Sequence, residues 1–145
     1  MIDKPPAPKD SIGFALHHAS FAFKAAMKDR FRAANIGLTP EEFVFLAMVP
    51  VEGAALGVLA STALKDKTTI TRLVDRLVEK GLVTRQEDPG NRRKQIIYIT
   101  EAGTNVRGEA IAVATLLTGD ATRGIAPEQL EITRQVLQQI IGNLT

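Results

Sequence analysis

The spacing of apolar residues along the 145-residue chain changes from a helical period to a strand period and back. After a Pro-, Lys- and Asp-rich arm (residues 1–10), apolar residues recur at three- and four-residue steps from Ser11 onward, which predicts a helix. The stripe consists of Ile12, Leu16, Ala19, Phe23, Ala26 and Met27. Because Phe14 and Phe21 widen it, we expect this helix to pack against more than one neighbour.

A second helix is predicted to start at Thr39. This residue and Glu42 form a T-x-x-E capping box, and Pro40 suits the first helical position. The helix continues through Phe43 and ends before Pro50. A short segment follows, whose expected buried residues are Leu56, Leu59, Ala60 and Ala63.

The clearest helical pattern lies between Asp66, a suitable N-cap, and Lys80, with Gly81 at the position that follows a helix. Its predicted core stripe is Ile70, Leu73, Val74, Leu77 and Val78. The period then changes to two, and residues 82–85 and 95–99 are predicted strands. Turn-forming residues at 88–91 connect them, which predicts a hairpin with a basic tip.

Two further helices are predicted, over residues 101–117 and from Pro127 onward. The last carries a heptad-like seam of Leu130, Leu137, Ile140 and Leu144, with Thr133 as its weak member. A monomer could bury this seam internally. Dimerisation through both chain ends accounts better for the wide apolar faces of the terminal helices.

The amino-acid composition excludes several classes of chemistry. Cysteine is absent, which excludes disulfides, thiolate catalysis and cysteine-ligated metals. On a helix the adjacent His17 and His18 point about 100° apart and cannot bind one metal from one face. We expect no cofactor and no metal. No apolar run of about 18 residues predicts a membrane span, and the N-terminal MIDKPP lacks a signal-peptide pattern, so we expect a cytoplasmic protein.

Basic residues are concentrated in one segment. Residues 65–94 contain nine Lys and Arg against five Asp and Glu, whereas the other residues contain nine against eleven. Such a segment suits contact with a polyanion. A solvated charged surface that binds nothing has the same composition.

Three helices followed by a basic hairpin predict a winged helix-turn-helix, in which the third helix enters the DNA major groove and the wing reaches the flanking backbone or minor groove. With the stripe buried, the opposite face of the third helix presents Thr68, Thr69, Thr71, Arg72, Asp75 and Arg76. Arg72 is long enough to address guanine, and Lys67 and Arg76 are better placed for phosphates. Threonines at a helix start are also common caps, and an exposed Arg often only solvates the surface.

The motifs in this region resemble those of the MarR (multiple antibiotic resistance regulator) family. Residues 66–83, DKTTITRLVDRLVEKGLV, are similar to the family's D-K-[ST]-T-[VI]-[ST]-R recognition helix and first wing strand. DPGNRR at 88–93 and IYITEAG at 97–103 resemble its D-x-x-D-R-R and L-T-x-x-G patterns, and LTPEEF at 38–43 its L-T-x-x-[QE]-[FW] helix start. The match covers about 38–103.

The resemblance implies a mainly α fold with a small β-hairpin wing, in one MarR-like domain over 1–145. The DNA-binding lobe would span 38–100, and residues 11–35 and 101–145 would form the dimerisation helices. A homodimer of this kind would bind a pseudo-palindromic operator in double-stranded DNA, usually as a repressor released by a small aromatic effector. Carried over by position, Thr68, Thr69, Thr71 and Arg72 face the major groove, and Arg92 or Arg93 reaches the minor groove.

The chain departs from the family pattern in two places. Before the recognition helix the family usually has L-x-[LI]-D-K, often with Gly at x, where this chain has Ala63-Leu64-Lys65. In the wing, Asn91 replaces the aspartate that helps orient the arginines, and Asp88 is the expected substitute. Both changes bear on DNA affinity more than on fold.

Two other classes of function compete with DNA binding. An enzyme is disfavoured, because the sequence has no nucleophile elbow, phosphate loop or metal-spaced ligands. A winged helix used only for protein–protein contact would have an apolar or acidic recognition face, which this chain lacks. For the effector we expect an aromatic acid between the lobe and the dimer helices. His17 or His18 could anchor it, although an exposed or core histidine is the commoner role.

Overall fold

The computed structural model describes residues 8–145, so most of the predicted N-terminal arm lies outside the described residues. A short 3-10 turn at Pro8–Asp10 is followed by α1 (Ile12–Ala33), α2 (Pro40–Met48), β1 (Ala54–Ala55), α3 (Leu56–Thr62), α4 (Lys67–Glu79), β2 (Val83–Asp88), β3 (Asn91–Ile99), α5 (Glu101–Ala121) and α6 (Pro127–Leu144). The predicted fold class, mainly α with a small β wing, is confirmed. None of the helices in this part of the chain is long and apolar enough to cross a membrane.

The strands form one antiparallel sheet in the order β1-β3-β2. The hairpin is longer than predicted, because its pairing extends outward to Asp88 opposite Asn91. The sequence does not predict β1, since two alanines carry no strand pattern. These alanines pair with Ile96 and Ile97 of β3 and so fasten the start of α3 to the wing.

The hydrophobic core is one cluster built from α1 to α5 and the hairpin. In α4 the predicted residues Ile70, Leu73, Val74 and Leu77 are buried. The prediction for Val78 is wrong: it is 38% exposed, because it lies roughly 90° around the helix from the centre of that stripe. α4 therefore turns one face inward and leaves the other open.

The helices at the two ends of the chain have apolar faces that the rest of this chain leaves open. In α1 only the C-terminal residues Met27 and Phe31 are buried, whereas Ile12 and Phe21 are exposed. α5 continues beyond the predicted Leu117 to Ala121. α6 has no buried residue, and its predicted seam is half-buried or exposed at Leu130, Thr133, Leu137, Ile140 and Leu144.

Glu42 connects the start of α2 to the end of α4. The predicted capping box is present, since the Glu42 N–H donates to Thr39 Oγ1 (3.1 Å) and the Thr39 N–H donates to Glu42 Oε2 (3.5 Å). The same carboxylate, 1% exposed, pairs with Lys80 Nζ at 2.6 Å and with Arg76 Nε at 3.3 Å. A buried carboxylate is stable only when its oxygens are paired. The cluster therefore fixes the end of α4 against α2.

One arginine joins the terminal helix α5 to the lobe, and another joins α5 to the terminal helix α1. Arg107 Nη1 on α5 donates to the carbonyls of Val49 (2.8 Å) and Leu46 (3.4 Å) at the C-terminal end of α2. Arg30 on α1 pairs with Asp120 on α5 at 2.6 Å, and this hydrogen bond lowers the pKa of the Asp120 carboxyl. The lobe and the end helices are thus joined by polar contacts as well as by the core.

Three helices end in the same crossed pattern of hydrogen bonds around one left-handed residue. That residue is Asn35 after α1, Leu64 after α3 and Gly81 after α4, with φ of 56°, 55° and 72°. Gly and Asn adopt this conformation readily, whereas the Cβ of another residue crowds its own carbonyl. Leu64 occupies the turn position where the family pattern often has Gly, and its backbone is strained there.

Gly103, in the first turn of α5, lies against the start of the wing. A Cβ on this residue would lie 2.1 Å from the Leu82 carbonyl oxygen and 2.7 Å from Ile99 Cγ1. Beside it, Thr100 Oγ1 accepts from the Gly103 N–H (3.0 Å) and donates to the Gly81 carbonyl (2.7 Å). The T-x-x-G pattern therefore marks a cap followed by a close approach of helix to strand.

Replacing Gly103 by Ala is expected to lower the free energy of unfolding by about 1–3 kcal/mol or more, because backbone atoms of Leu82 must move. Gly108→Ala on the same helix is the matched control. Nothing lies within 4 Å of a Cβ there, and the change should stabilise by about 0.5–1 kcal/mol. Urea unfolding followed by circular dichroism, at one protein concentration, measures both. Equal stabilities of Gly103→Ala and wild type would contradict the close approach.

Replacing Leu64 by Gly is expected to raise the free energy of unfolding by about 1 kcal/mol, because the left-handed backbone is relaxed. The gain is reduced by the greater freedom of glycine in the unfolded chain. Leu64→Ala keeps the Cβ and should bring no such gain. If both variants changed stability by the same amount in the same urea experiment, the side chain rather than the backbone would be responsible.

Candidate DNA-binding surface

α4 begins with a side-chain cap at Asp66. Its Oδ1 accepts from the Thr69 N–H at 2.7 Å, and its Oδ2 accepts from the Thr69 hydroxyl at 3.1 Å. The backbone hydrogen bond from Thr69 is the main reason why the pKa of Asp66 is lowered. The cap is therefore fully present above the pKa of the unfolded chain and is lost as the pH falls through the folded value. The Thr69 hydroxyl, predicted to face DNA, is occupied in this cap.

The outer face of α4 carries the other residues predicted from the sequence. Lys67, Thr68 and Arg72 are exposed, and Thr71 is half-buried. Within residues 8–145 no ion pair involves Lys67 or Arg72. The exposed face of the first two turns of α4 therefore carries two cations, Lys67 and Arg72, that have no carboxylate partner in the described residues.

Two charged residues on the same helix are held by neighbouring elements. Arg76 Nε pairs with the buried Glu42, so part of its side chain is directed to α2. Asp75 forms a very close ion pair with Arg85 Nη2 of β2. These two ion pairs therefore mark the C-terminal limit of the exposed, unpaired cationic surface of α4.

Arg85 is a structural residue that the sequence reasoning missed. Besides Asp75, its Nη2 donates to the Thr71 carbonyl at 3.3 Å, and its Nε is buried with no partner in the described residues. It lies two positions after the buried Val83, on the inward face of β2. The sequence did contain a signal for this role, because strand alternation places this arginine on the inward face of β2. Its role is to hold the wing against α4.

The basic residues of the wing lie on β3 rather than in the turn, and all three are exposed: Arg92, Arg93 and Lys94. The strand register is irregular at this point, so residues 92–94 have no paired residue in β2. The wing therefore ends in a short basic segment that departs from the regular ladder.

The expected role of Asp88 in orienting the wing arginines is wrong. Asp88 pairs with Lys94 Nζ at 3.8 Å and accepts from the Gly90 N–H at 3.0 Å, because it lies directly across the tight turn. Asn91 Oδ1 accepts from the backbone N–H of Arg93 at 3.1 Å. Asn91 thus orders the Arg93 backbone, and both wing guanidinium groups are without a carboxylate partner in the described residues.

A cleft of about 830 Å³ lies between α1 and the segment that leads into α2. Phe21, Phe31, Ile36 and Leu38 are among its apolar residues, and Lys24, Lys28, Arg32, Glu41 and Lys80 are its charged ones. Neither His17 nor His18 lines it, and both are exposed on α1, where His18 packs edge-on against Phe14. Within residues 8–145 no group of three side chains is arranged to bind a metal.

Comparison with known proteins agrees with this architecture. The sequence model of the MarR family matches residues 36–94. A MarR-family transcriptional regulator from Rhodococcus sp. RHA1 is 31% identical, with 93% of this chain and 95% of that chain covered and a TM-score of 0.84. CouR from Rhodococcus jostii RHA1, solved with p-coumaroyl-CoA, is 29% identical over 93% of this chain and 94% of that one, with a TM-score of 0.83.

A transcriptional regulator known from its amino-acid sequence is also similar to this chain. The HTH-type transcriptional regulator TtmR of Methylorubrum extorquens (strain PA1) is 30% identical over 74% of this chain and 54% of its own length. Fold, motifs and comparisons agree, and the chain belongs to the MarR family of DNA-binding transcriptional regulators.

Proposed function

We propose that this protein is a ligand-responsive repressor that binds a pseudo-palindromic operator as a homodimer. The observation that carries the proposal is the group of exposed, unpaired cations on the outer face of α4 and on the wing. Such cations bind phosphates and base edges at little cost, because no internal ion pair has to break. We also propose that the protein acts in the cytoplasm and has no catalytic role.

On DNA, α4 would lie in the major groove with its N-terminus toward the backbone. Thr68 and Arg72 are exposed on its outer face, and Arg72 is long enough to bind guanine O6 and N7 together. Lys67, at the first position of the helix, is placed for a phosphate. Arg76 uses Nε for Glu42, and its side chain is half exposed, so it remains a candidate for a phosphate contact.

The other threonines would contribute less direct contacts. Thr69 donates its hydroxyl to Asp66, and Thr71 is half-buried beside Arg85. Their methyl groups remain available for apolar contact with thymine. In the wing, Arg92 or Arg93 would reach the minor groove, where a narrow groove attracts arginine.

The homodimer would bury the uncovered apolar faces of the end helices. Besides Ile12 and Phe21 of α1, these faces include Leu116 of α5 and Val136 of α6. Clusters of exposed apolar residues commonly mark protein–protein interaction sites. A two-fold dimer would also present two copies of α4 to successive half-sites on one side of the duplex.

Binding of operator DNA is tested by selection from a random duplex library with the purified protein, followed by fluorescence anisotropy on the enriched sequence. Two half-sites related by an approximate two-fold axis, bound by two protomers, are expected. No enrichment over unselected DNA would overturn the proposal.

Removal of Arg72 and removal of the wing arginines are expected to change DNA binding in different ways. Arg72→Ala should cost about 1–3 kcal/mol on the selected duplex and reduce discrimination against base changes in the half-site. The double variant Arg92→Ala/Arg93→Ala should weaken binding to all sequences and reduce the salt slope by about one per lost phosphate contact. Arg123→Ala, between α5 and α6, is the control and should change neither quantity. Unchanged base discrimination in Arg72→Ala would remove this residue from base recognition.

Val136→Glu is expected to dissociate the dimer, because it adds a charge to the apolar side of α6. Gln138→Glu adds the same charge on the polar side of that helix and should leave the dimer intact. Light scattering coupled to gel filtration measures the mass, and circular dichroism checks folding. A folded Val136→Glu protein that remains dimeric would exclude this face of α6 from the interface.

A further inference from the structure

Asp75 places a carboxylate on the side of α4 that is proposed to enter the major groove. Its side chain is 51% exposed, and it lies three positions after Arg72. Side chains three residues apart are neighbours on a helix surface, and an arginine and an aspartate at this spacing attract each other. Asp75 is therefore a competitor for the guanidinium group that is proposed to bind guanine.

In the structure this competition does not take place, because Asp75 is paired with the wing. Arg85 Nη2 of β2 binds Asp75 Oδ1 and also donates to the Thr71 carbonyl at 3.3 Å. Within residues 8–145 Arg72 takes part in no ion pair. The carboxylate of Asp75 is thus neutralised by a cation from another element of the fold.

Helix geometry places Arg72 and Arg85 on opposite sides of Asp75. At about 100° per residue, Thr71 lies about 40° from Asp75 in one direction around the helix, and Arg72 lies about 60° away in the other. Arg85 contacts Asp75 together with the Thr71 backbone, so it approaches from the side away from Arg72. Pairing with Arg85 therefore draws the carboxylate away from Arg72.

Arg85 is the stronger partner for Asp75 because the fold holds it in place. Its side chain is 29% exposed on the inward face of β2, whereas Arg72 is exposed on the helix surface. A guanidinium group that is already ordered loses less side-chain entropy on pairing than one in solvent. The preference of Asp75 for Arg85 is therefore built into the packing of the wing against α4.

We propose that Arg85 is a positioning residue for DNA recognition, which binds Asp75 and so keeps Arg72 available to a base. The inference rests on the proposed role of Arg72 in base recognition. Without Arg85, Asp75 pairs with Arg72, and this pair must break before guanine is bound. Such a pair is worth about twofold on a free helix surface and more in a desolvated groove, where charged contacts are stronger.

Capture of Arg72 is tested without DNA, by NMR of its side-chain Nε–H group, which is assigned by its loss in Arg72→Ala. In Arg85→Met, whose unbranched apolar side chain suits the inward strand position, this signal should shift and its proton should exchange more slowly with water. The double variant Arg85→Met/Asp75→Ala should return both to their wild-type values. An unchanged signal in Arg85→Met would refute the proposal. Where circular dichroism shows Arg85→Met to be unfolded, Arg85→Gln takes its place.

The consequence for recognition is measured as a ratio of DNA dissociation constants. The two duplexes are the selected operator and the same operator changed at the base pair where Arg72→Ala loses discrimination. Wild type should give a ratio of about 5 to 150, the range of a bidentate arginine–guanine contact. Arg85→Met should reduce the ratio about three- to tenfold. In the Asp75→Ala background, removal of Arg85 should leave the ratio at its wild-type value.

A merely structural role for Arg85 makes a different prediction. If its removal only loosened the wing, Asp75→Ala would not restore the ratio, because the wing would remain loose; that result would exclude the positioning role. The matched control is Arg85→Met/Glu79→Ala, which removes an exposed carboxylate one turn farther from Arg72 and should keep the reduced ratio. Restoration by Glu79→Ala as well would indicate a general effect of charge and contradict the specific role of Asp75.

Failure of the proposed base contact gives a separate result. If Arg72→Ala discriminates among bases as wild type does, the role of Arg72 in base recognition is refuted. The NMR signal of Arg72 in Arg85→Met then still decides whether Arg85 keeps Asp75 away from Arg72.

Discussion

The buried carboxylate of Glu42 is the contact on which the position of α4 depends. A carboxylate removed from water is tolerated only when its oxygens are paired, and this one is approached by Lys80, Arg76 and the Thr39 N–H. These groups come from both ends of the helix-turn-helix. An angle between α2 and α4 that moved any of them away would expose an unpaired charge, so the ion cluster selects one angle.

The end helices are also held to the lobe by specific contacts. Arg107 of α5 binds the carbonyls that end α2, and Gly103 allows the first turn of α5 to touch the wing strand at Leu82. In a dimer held by the end helices, the spacing between two copies of α4 depends on these joints. A rigid joint transmits a shift at one site to the other, because packed interfaces adopt discrete arrangements rather than deforming smoothly.

Sequence periodicity predicted the elements well where local rules dominate. The capping box at Thr39, the cap at Asp66 and the turn at Gly81 are contained within a few residues, and all three are present. The predictions failed where partners are distant along the chain. Arg85 was not singled out, because nothing near it in sequence indicates Asp75, and β1 was not predicted, because it exists only through β3.

The charge of the recognition surface was also only partly predictable from the sequence. Residues 65–94 contain nine basic residues, but the sequence does not say which are already paired. Within the described part of the chain, four of them bind carboxylates: Arg76, Lys80, Arg85 and Lys94. These cations hold α4 and the wing in place, and their charge is largely compensated. The unpaired ones, Arg72 among them, lie on the outer face of α4 and at the wing tip. Because a polyanion gains most from charges that have no internal partner, net charge alone overstates how much of the basic segment DNA can use. The paired cations set the geometry, and the unpaired ones are left to bind DNA.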